Sequence, residues 1–438
     1  MSYDLLIHNG TIITMDPGFD VLDKGFVGVS NGVIKEVTPQ KDDAPLPEAR
    51  ESIDARGGII MPGLVNTHTH APMSLFRGLA DDLPLMKWLN EYIFPAESRF
   101  INPESVFAAS LLSCAEMILS GTTCLCDGYF FEDKVAEAVH KIGMRGVLGQ
   151  GVIDFPAPGV PDPKKNIDAA ERFMTNWTGV SPLITPGLFC HSPYTCSEQT
   201  LKAAKSLANK KRGLFQIHAA ETRAELAEIQ KRYQSTPIQY LDRIGIIDDH
   251  TLLVHAIYLN ETDMERIQNH GAKISVTTES EMKLASGVAR IPELIERGIT
   301  VGLGTDGCAS NNDLDLFQEM GMTAKLQKVQ TGDPTVMDAR AVVAMATIEG
   351  AEAIGLGSLI GSIEVGKRAD MIVIDTRKPH LTPMYHPYSH LVYAASGSDV
   401  NDVIIDGKIV MKDRELKTID VQEVMATVNR LGAMVAAG

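Results

Sequence analysis

The sequence predicts an α/β protein: a (β/α)8 TIM-like barrel carrying a small β-sandwich formed by the N- and C-terminal segments. Three observations lead there. Through the middle of the chain, eight β-rich apolar runs alternate with helical stretches. The two ends lack that alternation and read as short strands separated by Asn-Gly, Gly-Gly and Asp-Gly turn signals. Polar residues recur at the ends of the alternating runs, where a barrel gathers its active site. The expected organisation is residues 1–60 as the first part of the sandwich, 61–365 as the catalytic barrel, and 366–438 as the rest of the sandwich plus a terminal helix.

Taken in order, DLLIHNGTIITMD, FVGVSNGVIKEV and ESIDARGGIIM are the opening strands and their turns. The barrel strands are GLVNTHTH, GTTCLCDGYF, MRGVLGQGVID, LITPGLFCHS, LFQIHAAE, TLLVHA, AKISVTT and TVGLGTD. Helical stretches such as PESVFAASLLSCAEMILSG and KVAEAVHKIG lie between most of them. The proline-rich DFPAPGVPDPKK after the third strand reads as a long loop over the barrel mouth. ADMIVID and DVIIDGKIVMKDREL, with its Asp-Gly hairpin signal, return to the sandwich.

Composition narrows the function. The chain has 438 residues, 44% of them hydrophobic, which is enough for one large catalytic domain with a smaller companion. A net charge of −16 argues against a nucleic-acid or anionic-membrane partner. The N-terminus has no signal-peptide pattern, and no apolar run is long enough to span a bilayer. Cys114, Cys124, Cys126, Cys190, Cys196 and Cys308 sit in apolar or motif segments and read as reduced thiols of a cytoplasmic protein. Cys124-x-Cys126 lacks a second pair to complete a metal site and reads as core packing.

The chemistry is concentrated at the strand ends. His68 and His70 close the first strand at i, i+2, a spacing that points both rings to one face. His191 ends the fourth strand, and His218 the fifth, with Glu221 three residues on. His255 ends the sixth and Asp306 the eighth. Three imidazoles (His68, His70, His218) and the Asp306 carboxylate make a metal-ligand set that leaves a position open for water. Asp306 is placed both to ligate and to take the water's proton. Glu221 is placed as a proton shuttle to the substrate, and His255 to orient the nucleophile or stabilise developing charge. A two-metal barrel needs a bridging carboxylate, often a carbamylated lysine, at the end of the fourth strand. Phe189-Cys190-His191-Ser192 offers no lysine, so a single ion is expected. Gly302-x-Gly304-x-x-Gly307 matches a dinucleotide fingerprint literally, but it closes the alternation rather than opening a βαβ unit and contains Asp306. Its small residues are better explained by close backbone packing near the metal.

Together, PGLVNTHTH, HSPYTCS, His218-Ala219-Ala220-Glu221, GLGTDGCASNNDLDLF and GSIEVGKRADMIVID resemble the amidohydrolase superfamily over nearly the whole chain. Within it, the chain is most similar to the 5-methylthioadenosine/S-adenosylhomocysteine deaminases. The resemblance implies hydrolytic deamination of an adenosine-type nucleoside with release of ammonia. It implies one Zn2+ per subunit on His68, His70, His218 and Asp306, with iron or manganese as alternatives, and acid–base work by Glu221, His255 and Asp306. It further implies substrate contacts at Glu97 in FPAESRF (ribose hydroxyls), at His191, at Trp88 in MKWL, at Glu221, and at Gln150, which stands where relatives carry an arginine. The partner it implies is a small molecule, and it suggests a homo-oligomer, although no interface signature stands out.

Two departures bear on the substrate. Gln150-Gly151 replaces an Arg-Gly of the relatives, and a second expected arginine is missing around Lys164–Asn166, so the carboxylate of S-adenosylhomocysteine lacks its bidentate partners. Val276-Thr277-Thr278-Glu279-Ser280-Glu281-Met282-Lys283 replaces the relatives' His-x-Pro-x-Ser-Asn-x-Lys in a loop expected to border the pocket. The alternative substrate is another aminated heterocycle, such as an s-triazine or a guanine-like base. A catalytically silent scaffold barrel is disfavoured because every proposed ligand is retained.

Overall fold

A computed structural model describes residues 2–41 and 45–437. The expected barrel is present as eight parallel strands: β1 (Leu64–Thr69), β2 (Thr122–Tyr129), β3 (Arg145–Val152), β4 (Ile184–Cys190), β5 (Phe215–Ala219), β6 (Thr251–His255), β7 (Lys273–Val276) and β8 (Val301–Leu303). They pair in chain order, each parallel to the next. Between β8 and β1 a regular ladder gives way to side-chain and loop bonds. Asn66 Nδ2 donates to Thr305 Oγ1 (2.7 Å), Thr305 N donates to Asn66 Oδ1 (3.1 Å), and Asp306 N donates to the His68 carbonyl (3.0 Å). The barrel therefore closes where β1 and β8, two of the three strands that carry proposed ligands, meet.

The chain ends form one hydrogen-bonded, nine-stranded mixed sheet. Its two halves join where Met371–Ile374 pairs antiparallel with Ile59–Pro62, the segment just before β1. Two of the turn signals behave as the sequence predicts: Asn31-Gly32 and Asp406-Gly407 both carry consecutive positive φ values, the geometry of a type I′ hairpin turn. Asn9-Gly10 does not turn. Tyr3–Ile13 is a single strand, and Asn9 (φ 60°) forms a bulge in its pairing with Val21–Ser30. A buried ion pair ties the sheet to the barrel. Arg145, at the start of β3, reaches Asp370 through Nε (2.6 Å) and Nη2 (3.0 Å), and Asp406 through Nη2 (3.2 Å). Removing one member of such a pair typically costs about 3–5 kcal/mol, because the other charge stays buried and unmatched.

Between β1 and β2 runs an insertion that positions the mouth. Leu85–Trp88 continues through a π-helical turn, Leu89–Ile93, into the helix Phe94–Phe100. The following helix, Pro103–Leu119, is well specified locally: Asn102 caps it, Ser105 completes a reciprocal capping box, and Pro103 occupies the first turn where its missing N–H is harmless. The C-terminal helix Val421–Ala436 packs on that helix through Val424 and Val428, one turn apart. The proline-rich segment after β3 is a loop holding one short bridge, Ala157 to Val160, and ending in a 3-10 turn, Pro163–Lys165.

Candidate metal centre and pocket

At the C-terminal mouth of the barrel, His68, His70 and His218 turn their ring nitrogens toward one point, all within 4.8 Å of one another. His68 Nε2 and His218 Nε2 are 3.1 Å apart. Asp306 Oδ1 lies 3.4 Å from His70 Nε2 and 3.7 Å from His68 Nε2. Ligand bonds of 2.0–2.1 Å in a tetrahedron put neighbouring donors about 3.3 Å apart, so this set fits a small divalent ion. The protonation states fit too. Burial, with the mutual repulsion of the rings, holds the His68 and His218 imidazoles well below their ordinary pKa, which keeps them neutral as ligands. The 2.6 Å contact of His70 Nδ1 with the Gly128 carbonyl requires the proton on Nδ1 and frees Nε2.

The supporting residues fix this arrangement. Asp306 Oδ2 accepts hydrogen bonds from Ser280 Oγ and Ser310 Oγ, both at 2.7 Å, which turns Oδ1 toward the histidines. Burial opposes ionisation of Asp306, but the facing His70 and His68 rings and the Ser280 hydroxyl outweigh it and hold the carboxyl well below its usual range. Glu225 takes the backbone N–H groups of Ala220 (3.0 Å) and Glu221 (2.8 Å), pinning the turn that carries His218 and Glu221. His255 stands between two acids: Nε2 is 3.9 Å from Glu221 Oε2, and Nδ1 is 3.6 Å from Glu281 Oε1 and 3.0 Å from Thr277 Oγ1. Burial alone would lower the His255 pKa, but Glu221, Glu281 and Asp306 outweigh it and raise it to about 9. Burial raises the Glu221 carboxyl, and His255 counteracts only part of that. Backbone strain collects here as well, with Ala220 (φ 57°), His255 (φ 73°), Ala256 (φ 51°) and Asp306 (φ 60°) all in the left-handed region.

The amidohydrolase family profile matches residues 59–410, most of the chain, and spans this site from end to end. The chain belongs to the amidohydrolase family. Among relatives, this amidohydrolase is 47% identical to a 5-methylthioadenosine/S-adenosylhomocysteine deaminase of Syntrophobacter fumaroxidans, with 97% of each chain covered. It is 43% identical to a 5′-deoxyadenosine deaminase of Methanosarcina mazei, with 96% of each covered. Among solved structures, an adenosine deaminase from Xanthomonas campestris with bound zinc superposes with a TM-score of 0.97 at 37% identity, covering 100% of this chain and 99% of that one. The amidohydrolase is accordingly a hydrolytic enzyme with a metal site.

A cavity of about 70 Å³, as swept by the centre of a water-sized sphere, lies over the cluster. His70, His218, Glu221, His255 and Asp306 form its floor, while Trp88, Glu97 and His191 stand in its walls. His68 is fully buried behind them. Burial pushes the Glu97 carboxyl up to about 7, against the hydrogen bond it accepts from the Tyr129 hydroxyl (2.5 Å). Burial and His70 hold the His191 ring down, at about 4. Gln150 is the one proposed contact that does not reach the cavity. It is buried outside the barrel wall, its Oε1 accepting from Glu132 N (3.3 Å) and its Nε2 donating to the Gly151 carbonyl (3.3 Å). Because strand residues alternate faces, it is Gly151 that lines the cavity. The 276–283 segment also differs from expectation. It is a short helix, Thr278–Lys283, that acts from behind the cavity wall through Ser280, Thr277 and Glu281.

The glycine run is explained by contact. A Cβ on Gly304 would lie 2.8 Å from both the N and the O of His68, and one on Gly302 would lie 2.4 Å from Thr67 Cγ2. Sequence reasoning missed Tyr129, Glu225, Thr277, Ser280, Glu281 and Ser310 as supports. Glu225 alone carried a local signal: Thr222-x-x-Glu225 is a capping-box pattern, and Thr222 does cap the helix that starts at Arg223.

Proposed function

We propose that this amidohydrolase is a hydrolytic deaminase of adenosine-type nucleosides, with one zinc ion per subunit held by His68, His70, His218 and Asp306. The observation that carries this reading is the convergence of three neutral imidazoles and one ionised carboxylate on the floor of a cavity that also presents Glu221 and His255. The deaminase names of full-length relatives support it. Iron or manganese would suit the same donors. His191 at the end of β4, in place of a lysine, supports a single ion. The bound ion would supply Lewis acidity, making water nucleophilic near neutral pH. Asp306 takes one proton of the attacking water and passes it to the exocyclic amine, whose bond to the ring carbon breaks as ammonia leaves; the remaining hydroxyl proton restores Glu221. Glu221, protonatable because of its burial, delivers a proton to the ring nitrogen beside the amine-bearing carbon. His255, cationic at neutral pH, stabilises charge building on that carbon's substituents. Glu97 accepts hydrogen bonds from the ribose hydroxyls, and Trp88 flanks the base. The six buried, unpaired cysteines suit a reducing, cytoplasmic setting.

The test is ammonia release by zinc-loaded protein from a panel of adenine nucleosides, free purines and amino-triazines. Turnover confined to bases or triazines, with no adenine nucleoside deaminated, would overturn the reading.

A further inference from the structure

Three chain segments are tied together at the rim of the cavity by side chains that take no part in the proposed chemistry. Lys283 is the last residue of the Thr278–Lys283 helix. Its ammonium donates to Asp81 Oδ1 (2.6 Å), in the insertion after β1, and to Asn312 Oδ1, in the loop after β8. Asn312 Nδ2 stands 3.5 Å from Asp81 Oδ2. The Asn312 backbone carbonyl accepts from Arg77 Nη1 (2.6 Å), at the start of the insertion. Arg77 also pairs with Glu116, whose Oε1 accepts from Leu314 N (3.1 Å). Asn312 makes both contacts from a left-handed backbone (φ 88°), a conformation asparagine adopts more readily than most residues. The Lys283 hydrogen bond holds the Asp81 carboxyl below the usual carboxylate range.

Each tied segment also lines the cavity close by. Leu284 follows Lys283 directly, Ser310 precedes Asn312 by two positions, and Leu85 and Trp88 follow Asp81 within two helical turns. Between Arg77 and Pro84 the insertion is turn and coil. Its own backbone therefore does not fix how the Leu85–Trp88 helix leans over the metal floor; contacts with neighbouring segments must do so. We infer that Lys283 is a positioning residue, whose ammonium ties the insertion to the ends of β7 and β8 and holds the Trp88 wall closed over the cavity. A lysine suits the task because one ammonium on a flexible stem offers separate N–H groups to Asp81 and Asn312 at once. A wall that meets the substrate before and during the reaction contributes uniform binding, so loosening it raises KM more than it lowers kcat. That kinetic consequence rests on the deaminase reading; closure of the wall does not.

The test therefore has two readouts on the zinc-loaded full chain. The chain has two tryptophans, so Trp177→Phe leaves Trp88 as the sole indole. Trp88 is only 5% exposed. In that background, Lys283→Met is expected to raise the acrylamide quenching constant of Trp88 about threefold or more, as the open population grows. The KM for 5′-deoxyadenosine should rise about three- to tenfold, the range between an exposed ion pair and a charge-assisted hydrogen bond. Asp81→Ala removes the same contact from an exposed loop position and should reproduce both effects. Lys283→Arg keeps the cation and should restore both toward wild type. Unchanged Trp88 quenching in Lys283→Met and Asp81→Ala would overturn the clasp, as would an arginine variant as impaired as the methionine one. Raised quenching with an unaltered KM would overturn the positioning role. Raised quenching in a protein that deaminates no adenine nucleoside would overturn the deaminase reading and leave the clasp standing.

Discussion

Gly304→Ala tests whether the end of β8 is built around the metal ligands. The new methyl carbon would sit 2.8 Å from His68 N, 2.8 Å from His68 O and 2.9 Å from Ser275 Oγ, where ordinary contact begins near 3.4 Å. The shortfall is therefore 0.6 Å, 0.6 Å and 0.5 Å, and two of the three atoms are backbone that no rotamer change can move. Such overpacking costs about 1–3 kcal/mol. The displaced peptide is that of a proposed ligand, and constellations of this kind tolerate only about 0.5 Å of error. The expected outcome is a loss of about 1–3 kcal/mol in chemical unfolding of the metal-free protein. A second loss, of about tenfold or more in zinc affinity, should appear in competition with a chromophoric chelator. Gly432→Ala is the control: it lies in the terminal helix with nothing within 4 Å of the added carbon, and it should be neutral or stabilising by up to about 1 kcal/mol. Wild-type zinc affinity in Gly304→Ala would refute the claim that close approach to His68 is why glycine stands there.

Glu221→Gln should keep its zinc, measured by metal analysis, while losing about 100-fold or more in kcat, the usual contribution of a general acid; near-normal turnover would remove its proton role. His218→Ala should lose stoichiometric zinc altogether, and retention would show that the ligand set is misassigned. Ser280→Ala removes one of the two hydroxyls on Asp306 Oδ2 and should weaken zinc binding by roughly 10- to 100-fold, read by the same chelator competition. Glu97, raised to about 7 by burial, is ionised above that pH and protonated below it. If its carboxylate receives the ribose hydroxyls, kcat/KM should fall with an apparent pKa near 7 as pH is lowered, and Glu97→Gln should abolish that limb. An identical pH profile in the variant would exclude Glu97 as its source.

The barrel was legible because each strand is an apolar run bounded by turn chemistry, and because the strand ends carry histidines that a core seldom needs. Turn signals were legible where both residues could take positive φ in a two-residue hairpin, as at Asp406-Gly407. They misled at Asn9-Gly10, where the same local conformation serves a bulge and neighbouring strands hold Tyr3–Ile13 in one piece. The supports of the site were mostly illegible for a different reason. Ser280 lies 26 residues from Asp306, and Tyr129 is 32 from Glu97. No periodicity links such partners; only the closed barrel does.

Gln150 and the 276–283 helix show what sequence comparison alone misjudges. Both were singled out because they depart from the pattern of relatives, and both were expected at the pocket. Gln150 is turned away by the strand's period of two. The helix does not line the cavity either, yet its departures reach the chemistry. Glu281 puts a carboxylate 3.6 Å from His255 Nδ1, and Thr277 holds the same nitrogen at 3.0 Å. With Glu221 on the opposite edge of the ring, the imidazole lies between two acids and stays charged at neutral pH. A carboxylate outside the cavity thus adds to the charge that Glu221 already favours on a residue inside it. A second hollow beside the cavity, by contrast, is walled by the insertion after β1 and the loop after β3, none of which touches His255 or its two acids.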